Sequence, residues 1–151
     1  MDRRAEEFSV FFGEAEPRLR RALTAAYGPE RGREATADAL AYAWEHWTRV
    51  RRMRNPTGYL YRVGQSRSRP RKRRLLWARP DASDPWVEPG LPPSLAKLTE
   101  RQRVVTVLVC GFGWTLREVA QMTALSVTTV QNHLERGLAS LRADLEVHED
   151  A

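Results

Sequence analysis

The sequence predicts an all-α fold of two small helical domains joined by a Pro-rich linker. Three observations carry this: apolar residues recur at helical spacing, capping residues stand in front of those runs, and five of the nine prolines gather in one stretch. That stretch, around residues 75–93, holds Pro80, Pro85, Pro89, Pro92 and Pro93 together with Asp81, Ser83, Asp84 and Gly90, a linker composition. It separates a first block, residues 1–74, from a second, residues 94–148. Each block is near the lower size limit for independent folding, so each core should be thin. Trp77 and Trp86 in the linker read as residues that dock on a partner or on one of the blocks.

In the first block Phe8, Phe11, Phe12 and Ala15 keep helical spacing, and Pro17 fits the first turn of a second segment carrying Leu19, Leu23 and Ala26. Gly28-Pro29 ends that segment. From Arg31 to about Arg49, one stripe holds Thr36, Leu40, Ala43, Trp44 and Trp47 and faces a core. The opposite stripe, Asp38, Tyr42, Glu45 and Arg49, faces outward, with Glu45 placed one turn before Arg49 as an ion-pair partner. Asn55-Pro56 is a cap and first-turn proline for a third helix whose inner face would be Tyr59, Leu60 and Val63, leaving Tyr61 outward. Gly58 and Gly64 weaken that helix by about 1 kcal/mol each relative to alanine, and Pro70 ends it.

The second block has sharper punctuation. Thr99-Glu100-Arg101-Gln102 is a capping box in front of Val104 to Cys110, and Gly111 with Gly113 closes that segment. Its β-branched residues would suit a strand, but the cap and the lack of a pairing strand favour helix. Cys110, the one cysteine, reads as a small core residue. Thr115-Leu116-Arg117-Glu118 is a second capping box clasped by Trp114 and Val119, and Ser126 caps a last helix with Leu125 and Val130 as its staple. That helix would bury Val127, Val130, Leu134, Leu138, Leu141 and Leu145. Ala124 stands in the turn where a positive φ would cost a non-glycine residue about 1 kcal/mol.

Composition narrows the function. A chain with 42% hydrophobic and 29% charged residues is globular rather than disordered. It holds no apolar run of about 20 residues and no signal-like start, which makes a cytoplasmic protein without membrane contact the expectation. One cysteine excludes an internal disulfide, three scattered histidines offer no metal site, and no glycine-rich phosphate loop or nucleophile-base pair stands out. Neither catalysis nor a cofactor is expected. Charge is uneven: residues 1–74 hold 18 Lys+Arg against 9 Asp+Glu, and residues 75–151 hold 7 against 10. A positive surface confined to the first block points to a polyanion there.

Two patterns point to DNA. The capped helices joined through Thr123 to Ser126 form a helix-turn-helix, with Val119 and Ala120 packing on Val130 and Leu134. Thr128, Thr129, Asn132 and Arg136 lie opposite the buried stripe, where they would meet base edges and phosphates of the major groove. In the first block Arg49, Arg51, Arg52 and Arg54 precede the third helix, and Arg67, Arg69, Arg71, Lys72, Arg73 and Arg74 follow it, with Tyr59 and Tyr61 between. Aromatic faces beside cations can hold unstacked bases, and the outward Tyr61 is the better stacking candidate.

The two blocks together resemble the extracytoplasmic-function group (group 4) of sigma-70 family sigma factors. In the first block the resemblance rests on Glu34, Asp38, Leu40, Ala43 and Trp44, then on Asn55-Pro56 with Leu60-Tyr61-Arg62. In the second it rests on LTERQRVV, on TLREVAQMTALSVTTVQNHLERGLASLR, and on VEPGLP in the linker. It covers nearly the whole chain. The resemblance implies that residues 1–74 are sigma region 2, which binds core RNA polymerase and the minus-ten element, and that residues 94–148 are region 4, which binds the minus-thirty-five element. It implies polymerase binding by Glu34, Asp38, Tyr42 and Glu45. It implies minus-ten recognition by Arg49, Arg51, Arg52, Arg54, Asn55, Tyr61, Arg62 and Gln65, and minus-thirty-five recognition by Thr115, Ser126, Thr128, Thr129, Gln131, Asn132 and Arg136. The implied partners are core RNA polymerase, double-stranded and locally melted promoter DNA, and an anti-sigma factor. Arg31-Gly32-Arg33 departs from the usual acidic residues, and Gln131 and His133 replace basic ones. The other readings of the same residues are a helix-turn-helix regulator that acts without being a polymerase subunit, and a sigma-like adaptor that occupies polymerase without opening DNA.

Overall fold

The structure, a computed structural model, describes residues 2–68 and 91–149. The predicted linker up to residue 90, with Trp77 and Trp86, lies outside the described residues, as do Arg69, Pro70, Arg71, Lys72, Arg73 and Arg74. Among the described residues regular structure is helical throughout.

In the first block α1 (Arg3–Tyr27) is one unbroken helix, capped by Asp2 and closed by Gly28, whose φ of 89° only glycine adopts cheaply. Pro17 lies inside α1 rather than at the start of a second segment. An interior proline costs about 3 kcal/mol. Here the residue four positions earlier is the exposed Gly13, which leaves room for the ring and lets water reach the freed carbonyl. The buried stripe Ala15, Leu19, Ala22, Leu23 and Ala26 continues past the proline and offsets that cost.

α2 (Pro29–Glu45) packs along α1, and His46 then turns the chain into the short α3 (Trp47–Val50). Close approach depends on Gly32: a Cβ there would meet the Thr24 backbone. Trp44, expected in the core, is 40% exposed, its indole lying on Phe8 with Arg4 over its outer face. Trp47 takes the inner place, 5% exposed and in contact with Phe8 and Phe11.

α4 (Pro56–Ser68) crosses both helices. Gly64 makes the crossing possible, since a Cβ there would come within 2.8 Å of Leu23 Cδ1. The inner face of α4 is Leu60, Tyr61, Gly64 and Ser68, whereas Tyr59 and Val63, expected inside, are only half-buried.

α5 (Leu91–Ala96) opens within the stretch read as linker, with Pro92 and Pro93 in its first turn, where a missing N–H forfeits no helix bond. α6 (Glu100–Thr106) starts on the expected capping box and runs into a π-helical turn, Val107–Gly111, that rotates Cys110 to the surface rather than into the core. α7 (Leu116–Thr123) starts on the second capping box and ends at Ala124, whose φ of 60° is the left-handed conformation anticipated for it. α8 (Val127–Glu149) buries Val130 and Leu141 and half-buries Leu134, Leu138 and Leu145, while Val127 is 43% exposed instead of buried. Gly137 is the close-packing point, for a Cβ there would collide with the Thr106 hydroxyl of α6.

The apolar residues of the two blocks form one continuous cluster, running from Leu19, Ala26, Tyr27 and Tyr61 to Val104, Val105, Leu108 and Val119. A smaller cluster, Leu95, Leu98 and Leu141, holds α5 against α8. No helix of the described residues is long and apolar enough to cross a membrane, and no group of His, Cys, Asp and Glu among them could hold a metal ion.

Candidate nucleic-acid interface

The helix-turn-helix is built from its caps. Thr115 accepts the Glu118 backbone N–H at 3.1 Å while the Glu118 carboxylate accepts the Thr115 N–H at 3.1 Å. These bonds, led by the backbone contact to Thr115, hold the Glu118 carboxyl below its ordinary range. Ser126 accepts the Thr129 N–H at 3.1 Å and donates to the Thr129 hydroxyl at 2.8 Å. Of the expected minus-thirty-five residues, Thr115, Ser126 and Thr129 therefore spend their hydroxyls on helix starts. Thr128, Gln131, Asn132 and Arg136 present their side chains to solvent on one side of α8. His133 is half-buried beside them, and burial, then Arg101 and Arg136, lowers its pKa from 6.5. Arg101 of α6 thus adds a cation to this side that sequence reasoning did not single out.

The first-block residues divide into two groups. On the open side, Arg49 donates to the Tyr42 hydroxyl and, at 3.3 Å, to the Tyr59 hydroxyl, and the two hydroxyls lie 3.1 Å apart. That bond to Tyr59, with burial second, holds the Tyr42 phenol above its ordinary value of 10.0. Arg67 stands 5.9 Å from the Tyr42 ring, and Arg62, Val63, Ser66 and Arg67 complete an open groove of about 360 Å³ over the tyrosine pair. Arg52, Arg54 and Arg62 are exposed, and Arg51 is half-exposed in a 3.4 Å ion pair with Glu7. Arg49 meets the tyrosines and not Glu45, the partner expected from spacing. Glu34, Asp38 and Glu45 share an exposed side of α2, but Tyr42, grouped with them as an outward residue, is half-buried against Tyr59.

The second group lies on the seam with the second block. Tyr61, expected to point outward for stacking, is 2% exposed, and burial pushes its phenol well above the ordinary range. Tyr61 shares the buried face of α4 with Leu60, Gly64 and Ser68 and adjoins Glu100, Val104, Val105 and Leu125 of the second block instead of facing solvent. Gln65 donates to Glu100 at 3.0 Å, and Asn55 caps α4 through Gly58 N–H while donating to the Gln121 carbonyl at 2.8 Å. The aromatic-cation contacts outside the seam are those of Arg49 with Tyr42 and Tyr59 and of Arg67 with Tyr42. The visible signal was the smallness of Gly64 and Ser68, which marks the packed face better than the bulk of Val63.

Residues 94–141 match the family model described as Sigma-70, region 4. None of the curated proteins matches the chain. Among solved structures, a chain of the co-crystal structure of the sigma factor RpoE in complex with the anti-sigma factor NepR from Bartonella quintana superposes with a TM-score of 0.65. The match covers 94% of this chain and 98% of that one at 17% identity, a likeness of fold.

Proposed function

We propose that this chain, whose residues 94–141 match Sigma-70, region 4, is a sigma factor of the sigma-70 family that binds core RNA polymerase and directs promoter-specific transcription initiation in the bacterial cytoplasm, as a binding subunit with no reaction of its own. The observation that carries the proposal is α8: a region 4 module whose last helix exposes Thr128, Gln131, Asn132 and Arg136 on the side opposite Val130. That side fits a major groove, with Asn132 suited to adenine and Arg136 to guanine or phosphate. The first block contributes the second contact. Arg49, Arg52, Arg54, Arg62 and Arg67 would track phosphates, and the half-exposed Tyr59 would stack on an unpaired base of the minus-ten element. Glu34, Asp38 and Glu45 would meet the polymerase. An inhibitor of the anti-sigma kind fits a protein whose two blocks must both be engaged for activity.

The test is run-off transcription with purified core polymerase on a genomic fragment library, followed by mapping of start sites. Discrete starts that require this chain and share two spaced sequence elements support the proposal. Absence of any complex with core polymerase at low ionic strength would refute it, and symmetric dimeric binding to duplex without polymerase would favour a regulator instead.

A further inference from the structure

One side chain of α8 stands on the boundary between its packed and its open face. Gly137 marks the packed face, where it lies against Gln102 and Thr106 of α6. His133 is one turn before Gly137 and one turn after the fully buried Val130, so it turns toward α6 and is half-buried. Its neighbours on the open side, Asn132 and Arg136, are exposed. Arg101, exposed near the start of α6, lines one small space with Thr123 and Leu125 of the helix-turn-helix turn. The imidazole thus lies where α6 meets the DNA-facing side of α8.

Its electrical surroundings are of one sign. Among the described residues the charged groups that act on His133 are Arg101 and Arg136, and together with burial they hold the ring below its ordinary pKa of 6.5. The other charged side chains of α8 and the elements packed on it point or pair elsewhere. Glu100 binds Gln65, Arg103 is turned to the carbonyls of α1, Glu118 holds its own cap and pairs with Arg18, and Lys97 pairs with Asp144. Arg117 is exposed at the start of α7, and Glu135, two residues on from His133, lies about 200° round the helix. Arg142 and Glu146 are more than two turns further along α8. Two guanidiniums beside a neutral ring make a place for an anion. An anion seated between them reverses the field at the ring and favours the imidazolium, which can donate from both nitrogens.

We propose that Arg101, His133 and Arg136 form a phosphate-holding cluster spanning α6 and α8, in which His133 becomes the third cation by taking up a proton as duplex DNA binds. The inference rests on the reading of α8 as the helix that meets the major groove; it adds α6 to that interface and makes its grip depend on pH. The sign follows from linkage. Between the lowered pKa of the free chain and the raised one of the complex, binding absorbs a proton, so duplex affinity rises as pH falls and levels off once the free ring is itself charged. A lysine or arginine at this position would carry its charge throughout, whereas histidine makes it conditional.

The probe is a fluorescein-labelled duplex selected for tight binding to the full chain from a random-sequence pool. Affinity is measured at constant salt from about pH 8 to about pH 6 for the native chain, His133→Gln and His133→Arg. The native chain should tighten at least about three-fold over this range, His133→Gln should stay level, and His133→Arg should bind at the upper pH as tightly as the native chain does at the lower. Calorimetry in two buffers of different ionisation enthalpy should show proton uptake on binding by the native chain and none by His133→Gln. Parallel pH profiles, or equal proton uptake, for the native chain and His133→Gln overturn the cluster while leaving the reading of α8 intact. Arg101→Ala should lessen the slope of log affinity against log salt by about 1; an unchanged slope removes α6 from the interface and overturns the cluster. Failure to enrich any duplex, or an Arg136→Ala chain that binds the selected duplex like the native one, overturns the reading of α8 and the cluster with it.

Discussion

The hydroxyls of Tyr42 and Tyr59 lie 3.1 Å apart, and the Arg49 guanidinium stands 5.9 Å and 6.0 Å from the centres of their rings. This fixes the Tyr59 ring at the floor of a groove rimmed by Arg62 and Arg67. Stacking of a base on an aromatic side chain is worth about 1 to 3 kcal/mol. Tyr59→Ala should therefore weaken single-strand binding about ten-fold or more in fluorescence anisotropy. Tyr59→Phe, which keeps the ring and loses the hydroxyl, should retain most of it. Equal losses in both variants would mean that the hydroxyl network, and not the ring, makes the contact.

Gly32 illustrates a sequence feature whose meaning is set by a neighbour. In isolation, Gly32→Ala should stabilise α2 by about 1 kcal/mol through helix propensity. The Thr24 backbone occupies the space a Cβ would need, so α1 and α2 must part. Overpacking of this kind costs about 1 to 3 kcal/mol, and backbone yields less than side chain, so net destabilisation is expected. Thermal unfolding followed by circular dichroism should show a lower midpoint for Gly32→Ala; a higher one would mean that the helices are not in contact there.

The caps of the second block were legible in the sequence because a cap is local: a hydroxyl and the backbone N–H three residues on, closed in the two capping boxes by the side chain of Gln102 or Glu118. Thr99, Thr115 and Ser126 each accept the backbone N–H three residues ahead. The strained turn at Ala124 was legible for the same reason. What local pattern could not supply was the identity of the surface that covers each face. Periodicity placed Trp44 inward and Tyr61 outward, and the structure reverses both because Trp47 fills the pocket beside Phe8 and Phe11, while the second block covers Tyr61. The role of Arg103 has no local signal, since its partners on α1 are far away in sequence.

Ala124 gives a prediction of opposite sign to Gly32. Its φ of 60° costs a residue with a Cβ about 1 kcal/mol relative to glycine. Ala124→Gly should raise the unfolding midpoint while leaving duplex binding unchanged, because the turn geometry is already the one glycine prefers. A lowered midpoint would show that the entropy of the unfolded chain outweighs the relieved strain.

The cap at Thr115 predicts a pH dependence. Glu118 has its folded-state pKa lowered from 4.5, first by the backbone hydrogen bond to Thr115. A depressed carboxyl pKa means that the stabilisation is fully present above the unfolded value and is lost as pH falls through the folded one. Glu118→Gln can still close a capping box but does not titrate. It should make the stability of the second block less steep in pH below about 4.5, the unfolded reference. Chemical denaturation at several acidic pH values checks this, and parallel pH profiles for the two proteins would refute it.

On α8, Asn132 and Arg136 lie one helical turn apart on the exposed side, and their substitutions should have separable effects. A side chain that pairs with a base edge contributes about 1 to 3 kcal/mol of discrimination. Asn132→Ala should then relax sequence preference at one base pair of the upstream element with little change in salt dependence. If Arg136 meets a phosphate, Arg136→Ala should weaken binding to all duplexes alike and lessen the slope of log affinity against log salt by about 1. If it meets a guanine, its loss should instead be confined to one position of the sequence. Binding titrations of both variants against a single-substitution duplex series at three salt concentrations separate these outcomes. Loss of neither specificity nor salt slope in either variant would remove this side of α8 from the DNA interface.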